Sequence, residues 1–304
     1  MQISNLTTFD LTSQFENTKQ TYITDKHTLI VEKDFTEHLG FTTTRDSDGF
    51  WFYRNDFIIG QSLNHYGEYT QLEIDLLNAF IQPGYVVYDI GANIGVHTVP
   101  FAKKAEKVYA FEPNDKNYKL LKMNTLFNRN VKLFNTAVSD TVGTSYVSEI
   151  DLTKLGNYGE VKMSDIGQAC ETVSIDHLVE NKKILPPNVV KIDVEGHENS
   201  VFNGMQNTIK NNLPVIFYEA MHCDTAKIYD MLHGLAYNLY YFPCPNYNPN
   251  NFKRNKENIF GSGGVLNILA VPFYIEHRIN LPVVTDRLDT WDKAIERYHA
   301  QSKN

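Results

Sequence analysis

The pattern of apolar and polar positions divides the chain near residue 66. Before that point, three short runs rich in apolar residues, at 29–35, 49–54 and 56–63, are separated by turn-forming residues. They predict a small β-rich N-terminal extension built as an antiparallel meander. After that point, apolar runs of strand length alternate with amphipathic stretches of helix length. This alternation is typical of a parallel sheet that helices cover on both faces.

The second part of the chain supplies seven predicted strands and six predicted helices. We predict the strands at 85–90, 107–112, 131–138, 188–194, 214–220, 237–242 and 264–273. We predict the helices at 70–81, 97–105, 115–128, 174–181, 198–212 and 225–235. Residues 140–175, which several glycines interrupt, are expected to form an inserted hairpin region. The sequence therefore predicts an α/β fold, doubly wound around a mostly parallel seven-stranded sheet.

Most of the central strands end in an acidic residue. Ligands of such sheets bind beyond the carboxyl ends of the strands, near the point where the strand order reverses. The residues at these ends are Asp89, Glu112, Ala137, Asp193 and Glu219. An unpaired charge is costly where it is buried, so we expect these acids to face a ligand.

Composition and charge narrow the class of protein. The 304 residues are 42% hydrophobic and 21% charged, which is typical of a globular chain. No window reaches the apolar length of a membrane span, and the N-terminus lacks the features of a signal peptide, so we expect a cytoplasmic protein without a membrane partner. Cys170, Cys223 and Cys244 show no C-x-x-C spacing, which argues against a disulfide framework or a zinc ribbon. The net charge of −8 argues against a nucleic-acid partner.

The turn after the first of these strands suits a ligand that carries a cationic group. From Gly91 to Gly95 it reads G-x-x-x-G, and not the G-x-G-x-x-G of dinucleotide-binding folds. Asp89, just before the turn, would repel a pyrophosphate but suits an amino group. Glu112 ends the next strand, where a carboxylate can bind both hydroxyls of a ribose. An amino group, a ribose and a purine together describe S-adenosylmethionine. The alternative is a buried strand with a chance acid and a glycine turn.

Five segments of this part are distinctive: VVYDIGANIGVHT, VYAFEPN, FNTAVSD, TVSIDHL and VVKIDVEGHE. In this order they resemble the FkbM family of S-adenosylmethionine-dependent methyltransferases. The resemblance implies a class I Rossmann-like fold and S-adenosyl-L-methionine as the cofactor. With the apolar pattern, it divides the chain into an N-terminal β-rich extension at 1–65, a methyltransferase domain at 66–275 and a C-terminal helical tail at 276–304.

The resemblance also implies cofactor-binding roles, position by position. The loop after the first strand would hold the methionine portion, Glu112 the ribose, and Pro113 and Ala137 the adenine. The implied cofactor-binding residues are Asp89, Gly91, Ala92, Asn93, Gly95, Glu112, Pro113, Asn135, Ala137 and Asp193.

Methyl transfer to a hydroxyl requires the oxygen, methyl and sulfur in line, and a base that takes the proton. The catalytic candidates lie at the ends of the fourth and fifth strands and are Asp193, Glu195, His197, Glu219 and His222. We expect Asp193 closest to the sulfonium, with either His222 or His197 as the base. Glu219 would orient the imidazole or the acceptor. Glu198 is interpreted as a first-turn acid favoured by the helix dipole.

The spacing of Asp193, Glu195 and His197 also permits a divalent metal such as magnesium. Alternate residues after a strand end need not face one point, so no metal is predicted.

Residues 243–264 form a long polar stretch that we expect to be a lid over the acceptor. Its asparagines, Tyr247 and Phe252 suit a hydroxyl-rich molecule, while a floppy excursion is the alternative. We therefore predict an O-methyltransferase that acts on a hydroxyl of a sugar, glycan or related small molecule. The alternatives are methylation of RNA or protein, a non-catalytic S-adenosylmethionine-binding module, and a dinucleotide-dependent oxidoreductase.

Overall fold

The N-terminal part of the chain forms small antiparallel sheets ahead of a larger α/β unit. A computed structural model describes residues 14–16, 19–24, 27–285, 287, 288, 293, 296 and 300. The first three strands, β1 (Gln14–Glu16), β2 (Lys19–Thr24) and β3 (His27–Glu32), form an antiparallel sheet. A short helix, α1 (Lys33–Thr36), leads to the hairpin of β4 (Leu39–Thr44) and β5 (Ser47–Tyr53).

The third run of the expected meander, 56–63, forms the start of a helix and not a strand. Helix α2 (Ile59–Tyr66) buries Ile59 and Leu63, one helical turn apart. The Asp56 carboxylate lies at its start and accepts hydrogen bonds from two backbone N–H groups at 2.9 and 3.2 Å. The prediction of a strand was wrong because a short apolar window fits either period, and this capping contact was not recognised.

Strands and helices alternate after α2. The strands are β6 (Val86–Ile90), β7 (Lys107–Phe111), β8 (Val131–Phe134), β9 (Thr136–Val138), β10 (Gly143–Val147), β11 (Met163–Ser164), β12 (Gln168–Val173), β13 (Val189–Ile192), β14 (Val215–Glu219), β15 (Tyr237–Pro245) and β16 (Gly264–Pro272). The helices are α3 (Gln71–Phe80), α4 (Thr98–Ala102), α5 (Asp115–Asn124), α6 (Ile175–Glu180), α7 (Glu198–Asn203), α8 (Gln206–Asn212) and α9 (Thr225–Gly234).

A seven-stranded mixed sheet forms the centre of this unit. Its spatial order is β15-β16-β14-β13-β6-β7-β8. Strand β16 runs antiparallel to both of its neighbours, and the other neighbouring pairs are parallel. The predicted α/β class is confirmed, with a mixed sheet. The strand order reverses between β6 and β13, which places a binding crevice at their carboxyl ends.

Helices cover both faces of the central sheet. On one face, Leu77 of α3 and Phe101 of α4 pack with Val87 of β6. On the other face, Phe202 of α7 packs in a cluster with Tyr88, the next residue of β6. Successive residues of a strand point to opposite faces, so a strand covered on both sides is apolar throughout. This burial holds the strand ends, and the site that they form, in fixed positions.

The predicted strand at 131–138 is broken at Asn135. Its first half is β8 of the central sheet, and its second half is β9 of a separate four-stranded sheet with the order β11-β10-β12-β9. The Asn135 side chain holds the break, since its Nδ2 donates to the carbonyls of Glu112 and Pro113 at 3.1 Å each. The insertion at 140–175 supplies most of the second sheet, as a hairpin region was expected to do.

The predicted helix at 198–212 is also broken, into α7 and α8. Gly204 lies at the break, where an added Cβ would be 2.0 Å from the carbonyl oxygen of Ser139. The backbone must approach a neighbouring loop here, and a side chain would prevent it.

The first part of the expected C-terminal helical tail is not helical. Residues 276–285 have no helical structure, and Val283 instead forms a β-bridge with Tyr240. Most of the remainder, 286–304, lies outside the described residues. Among the residues that are described, no helix combines the length and apolar character needed to cross a membrane.

The segment that connects β15 to β16, residues 246–263, is anchored to α2 and to Glu68. Glu68 is buried and accepts hydrogen bonds from Asn248 Nδ2 at 2.7 Å and from the Phe252 N–H at 2.8 Å. The Lys253 ammonium donates to the Asn64 carbonyl at 2.7 Å. These contacts do not support the alternative of a floppy excursion.

Candidate active site at the carboxyl ends of the strands

A cavity of about 270 Å³ opens at the carboxyl ends of β6, β7, β13 and β14. Its lining is strongly acidic. Among the described residues that line it, Lys191 is the only lysine or arginine. The acidic residues of the lining are Glu73, Glu112, Glu160, Asp193, Glu195 and Glu219. The cavity therefore favours a ligand with net positive charge.

The loop after β6 passes very close to the end of β13. Gly91 has a φ of +80°, and an added Cβ would lie 1.7 Å from the Asp193 carbonyl oxygen. Gly95 has a φ of +95°, and a Cβ there would lie 2.9 Å from Leu121 Cδ1. Between them, Asn93 also adopts a positive φ of 50°. The two glycines of the motif are thus required by the path of the backbone against its neighbours.

Asp89 is paired with a buried lysine that the sequence analysis did not identify. Lys191 lies opposite Asp89 in the register of β6 and β13. Its Nζ is 3.7 Å from Asp89 Oδ1 and 3.2 Å from Asp193 Oδ2, and it donates to the Gly91 carbonyl at 3.0 Å. Burial lowers the pKa of Lys191, but the two carboxylates outweigh burial and raise the pKa above its usual value.

This pairing places Asp89 behind the wall of the cavity. Its side chain is fully buried, and its Oδ2 accepts a hydrogen bond from the Thr98 hydroxyl at 2.6 Å. Asp89 is not among the lining residues, whereas Lys191 is. The carboxylate is positioned to fix Lys191, and a direct contact between Asp89 and a ligand stays a prediction.

Glu112 bridges the two loops that follow β6 and β7. Its Oε2 accepts a hydrogen bond from the Asn93 N–H at 3.0 Å, and its Oε1 accepts one from the Asn114 N–H at 2.8 Å. Burial raises the pKa of Glu112 to about 7, although these two hydrogen bonds act in the opposite direction. Each carboxylate oxygen keeps a second lone pair, so two further donors can bind.

The other residues predicted to contact the adenine divide into two groups. Pro113 and Ala137 line the cavity beside Glu112, together with the apolar side chain of Val138. Asn135 does not line it, because its amide holds the break between β8 and β9. Its role is to position the loop that carries Pro113.

The acids of the fourth and fifth strand ends form one cluster. A carboxylate oxygen from each of Asp193, Glu195 and Glu219 lies within 4.8 Å of the other two. Burial, followed by the neighbouring carboxylate of Asp193, raises the pKa of Glu195 to about 8 and that of Glu219 to about 9. The sequence analysis did not predict this meeting point, because alternate residues after a strand end need not face one point.

The two histidine candidates have different surroundings. His197 Nε2 lies 3.0 Å from Ser139 Oγ, and burial lowers the pKa of its imidazole. His222 is exposed and also lines the cavity. The carboxylate of Glu198 accepts hydrogen bonds from the backbone N–H groups of Val194 and Gly196 at 3.1 Å each, which fits its interpretation as an acid of the first turn of α7.

A buried polar network beside the cavity was missed by the sequence analysis. Glu73 Oε2 lies 3.2 Å from His97 Nε2, and Glu73 Oε1 accepts a hydrogen bond from Asn267 Nδ2 at 2.9 Å. Thr70 Oγ1 lies 3.4 Å from the same His97 nitrogen. All four residues line the cavity and are buried. The available signal was a polar residue at an otherwise apolar position, in the helix for Glu73 and in the strand for Asn267.

The 243–264 stretch reaches the cavity only at its ends, among the described residues. Asn246 and Gly264 line it, whereas Tyr247 and Phe252 do not. The inserted region supplies a wall that was not predicted, formed by Asn157, Gly159, Glu160, Val161 and Met163.

Residues 89–239 match the protein family described as Methyltransferase FkbM domain. The chain contains an FkbM methyltransferase domain. The FkbM match begins at the end of β6 and runs into β15, so it includes every predicted catalytic and cofactor-binding residue but not the expected lid.

A curated relative of this FkbM chain is the hexuronic acid methyltransferase AglP of Haloferax volcanii. The two are 35% identical over 130 residues, which are 41% of this chain and 52% of the relative. The chain therefore spans about half the length of that relative.

Solved structures with a lower similarity include a methyltransferase FkbM from Methylobacillus flagellatus KT, with a TM-score of 0.40 and 15% identity over 65% of this chain and 50% of that one. Another is a precorrin-6y C5,15-methyltransferase from Geobacter metallireducens GS-15, with a TM-score of 0.40 and 16% identity over 66% of this chain and 87% of that one. These likenesses are too weak to support an argument about the site.

The close approach of the FkbM loop to β13 predicts that Gly91→Ala destabilises the protein more than Gly84→Ala does. Both glycines have a positive φ, +80° and +89°, so both substitutions carry the same kind of conformational cost. No atom lies within 4 Å of an added Cβ at Gly84, whereas the Asp193 carbonyl oxygen lies at 1.7 Å at Gly91. We expect the free energy of unfolding in urea to differ between the two variants by about 2 kcal/mol or more. Equal losses would show that the loop can move away from β13 without cost.

Proposed function

We propose that this chain is an S-adenosylmethionine-dependent O-methyltransferase that acts on a hydroxyl of a sugar, glycan or related small molecule. The observation that carries the proposal is the acidic cavity at the carboxyl ends of β6, β7, β13 and β14, within the FkbM domain. It combines a carboxylate suited to a ribose, apolar walls suited to a purine and a cluster of acids suited to a cation.

The charge of the cavity fits the cofactor. S-adenosylmethionine carries a sulfonium and an ammonium group against one carboxylate, so its net charge is positive. The described lining presents six carboxyl groups and Lys191 as its single lysine or arginine. The pyrophosphate of a nicotinamide dinucleotide would meet these carboxylates at short range and in a poorly solvated space, where repulsion is strong. The same charge disfavours an oxidoreductase that uses such a cofactor, and a nucleic-acid acceptor.

The binding of the cofactor is assigned to the loops after β6 and β7. Glu112 would accept hydrogen bonds from the ribose hydroxyls with the lone pairs that Asn93 and Asn114 leave open. Pro113 and Ala137 would contact the two sides of the adenine. The loop from Gly91 to Gly95, with Ala92 and Asn93, would surround the methionine portion, beside the Lys191 ammonium that Asp89 fixes.

The acceptor is assigned to the wall formed by the inserted region and by Asn246. Asn157 and Asn246 line the cavity with amide groups, and Asn246 Oδ1 has no hydrogen-bond partner among the described residues. A buried amide oxygen without a partner is available to an acceptor hydroxyl. The name of the relative AglP, a hexuronic acid methyltransferase, supports a sugar as the acceptor class.

The cofactor, when bound, supplies an electrophilic methyl group. The chain has to hold the acceptor oxygen in line and remove its proton. Both histidines line the cavity, and we assign proton removal to His222, because its side chain is exposed whereas the imidazole of His197 is engaged with Ser139. Asp193 would lie near the sulfonium, and Glu219 would orient the acceptor or the imidazole.

Binding and transfer assays test the proposed function directly. The purified protein should bind S-adenosylhomocysteine with micromolar affinity in calorimetry and should show no heat with NAD. Incubation with methyl-labelled S-adenosylmethionine and a panel of free sugars and glycans, hexuronic acids among them, should label a hydroxyl that mass spectrometry can locate. Binding of NAD without binding of S-adenosylhomocysteine would refute the proposal.

The pKa of Glu112 predicts how cofactor affinity depends on pH. The ionised carboxylate is the better acceptor for ribose hydroxyls, so affinity for S-adenosylhomocysteine should rise as the pH increases through about 7. Glu112→Gln should weaken binding above that pH by about 1.5–3 kcal/mol. Asp89 and Lys191 also influence the pKa of Glu112. The test therefore compares the pH dependence of the affinity in the wild type with that in the variant. If the affinity changes equally with pH in the wild type and in Glu112→Gln, the group that titrates is not Glu112.

The assignment of the base predicts the effect of substituting His222. His222→Gln should lower turnover by about 10²–10⁴-fold while calorimetry finds S-adenosylhomocysteine affinity unchanged. His233→Gln, on an exposed side chain of α9, is the control for the loss of a surface imidazole. If His197→Gln abolishes turnover and His222→Gln does not, the roles of the two histidines are reversed. If neither variant loses activity, the base is a carboxylate or another group of the cavity.

A further inference from the structure

We propose that Asp193, Glu195 and Glu219 form a binding site for one magnesium-class divalent cation at the carboxyl ends of β13 and β14. A carboxylate oxygen of each residue lies within 4.8 Å of the other two. Oxygen ligands lie about 2.1 Å from Mg²⁺ and about 2.3–2.6 Å from Ca²⁺, so two ligands of one ion are at most about 4–5 Å apart. The limit of 4.8 Å lies at the upper end of this range, so side-chain rotation that brings the oxygens slightly closer lets all three contact a single cation.

The burial of Glu219 and the missing hydrogen-bond partner of its carboxylate are a second, independent indication of a ligand. The residue is 7% exposed, and its Oε2 has no hydrogen-bond partner among the described residues. It ends a strand that is buried along its whole length, so the backbone cannot carry the carboxylate out to water. A buried carboxylate oxygen without a donor is costly, and a cation bound there removes that cost.

Among the described residues, Lys191 and Lys162 act on this cluster, and both are already paired. Lys191 is already held by Asp89, by Oδ2 of Asp193 and by the Gly91 carbonyl. Lys162 pairs with Glu160. Among the ion pairs of the described residues, none includes Glu195 or Glu219. Glu195 and Glu219 therefore form no ion pair with the described residues, although Lys162 acts on both at longer range.

The composition of the site selects the kind of ion. Three carboxylates with no thiolate or imidazole suit hard cations such as magnesium, calcium and manganese. The site differs from the D-x-E-x-H set considered from the sequence, because His197 is turned toward Ser139 and Glu219 of the neighbouring strand takes its place. The Asp193 side chain is 39% exposed, so its carboxylate can contact Lys191 with one oxygen and the ion with the other.

The site would have a consequence for the acceptor, and this consequence alone rests on the proposed function. An acidic sugar entering the cavity meets the carboxylates of Asp193, Glu195 and Glu219, which repel it. A divalent cation on these three residues converts the same surface into one that attracts a carboxylate or a pair of sugar hydroxyls. The cation would thus select oxygen-rich acceptors at the end of the cavity where the chain has only acids.

Manganese binding to the protein without cofactor or acceptor tests the site. After treatment with a chelator and desalting, the full chain is titrated with Mn²⁺, and the loss of the free-ion signal is followed by electron paramagnetic resonance. We expect one Mn²⁺ per chain, displaced by Mg²⁺, and an affinity that Glu195→Gln and Glu219→Gln each weaken by about tenfold or more. Glu160→Gln, which removes another acid of the same cavity, should bind as the wild type does.

The outcomes separate this proposal from the proposed function. Absence of Mn²⁺ binding by the wild type at millimolar concentration would overturn it, as would equal affinities of the Glu195→Gln and Glu160→Gln proteins. Circular dichroism checks folding, and Glu195→Gln, at a half-buried position, carries the test if Glu219→Gln does not fold. Methyl transfer plays no part in the measurement, so a chain without transferase activity could still bind the ion, and an active one could fail to bind it.

Discussion

The contact on which the site depends is the buried ammonium of Lys191 between the ends of β6 and β13. It neutralises Asp89, lies beside Asp193 and binds the Gly91 carbonyl, so it joins the strand that begins the binding loop to the strand that ends in the acid cluster. Removing one member of such a buried pair leaves an uncompensated charge, at a cost of about 3–5 kcal/mol. Gly91 makes the arrangement sterically feasible, because only a residue without Cβ can lie against the Asp193 carbonyl. Charge pairing and close backbone approach therefore fix the same two strand ends.

Lys191 pairs with two acids, Asp89 and Asp193. The other acidic residues leave the cavity with excess negative charge. Glu112 is stabilised by backbone N–H groups, and Glu73 by His97 and Asn267, so both are satisfied within the protein. Glu219 Oε2 has no hydrogen-bond partner among the described residues, and burial shifts the pKa of both Glu195 and Glu219 upward. A protein that tolerates such a cluster keeps it neutral or binds a cation there. A cavity with this distribution is suited to a cationic cofactor at one end and to a cation at the other.

The parts of the site predictable from the sequence are those in which one short segment carries the whole signal. Asp89 and Gly91 could be placed at a strand end because a strand, a turn and a helix follow one another within a few residues, and Glu112 because it ends the next strand. Lys191 gave a signal, a lysine inside an apolar strand, but its partner depends on the register of β6 against β13. Glu73 and Asn267 are far apart in sequence and meet only when α3 packs near β16. The helix at 59–66 was misread because its apolar residues fit two periods, and the broken elements at Asn135 and Gly204 depend on tertiary contacts.

The residues that line the cavity also differ in how close together they lie in the sequence. The cofactor end is built mainly from residues between 89 and 138, which lie close in sequence and inside the family match. The remaining lining includes Ile58 and Ile59 of the N-terminal part, Asn157 and its neighbours in the inserted region, and Asn246. Of these, residues 58, 59 and 246 lie outside the match at 89–239. Changes there would reshape the acceptor wall without touching the Lys191 contact that fixes the strand ends. The match at 89–239 therefore includes the proposed cofactor residues and only part of the proposed acceptor wall.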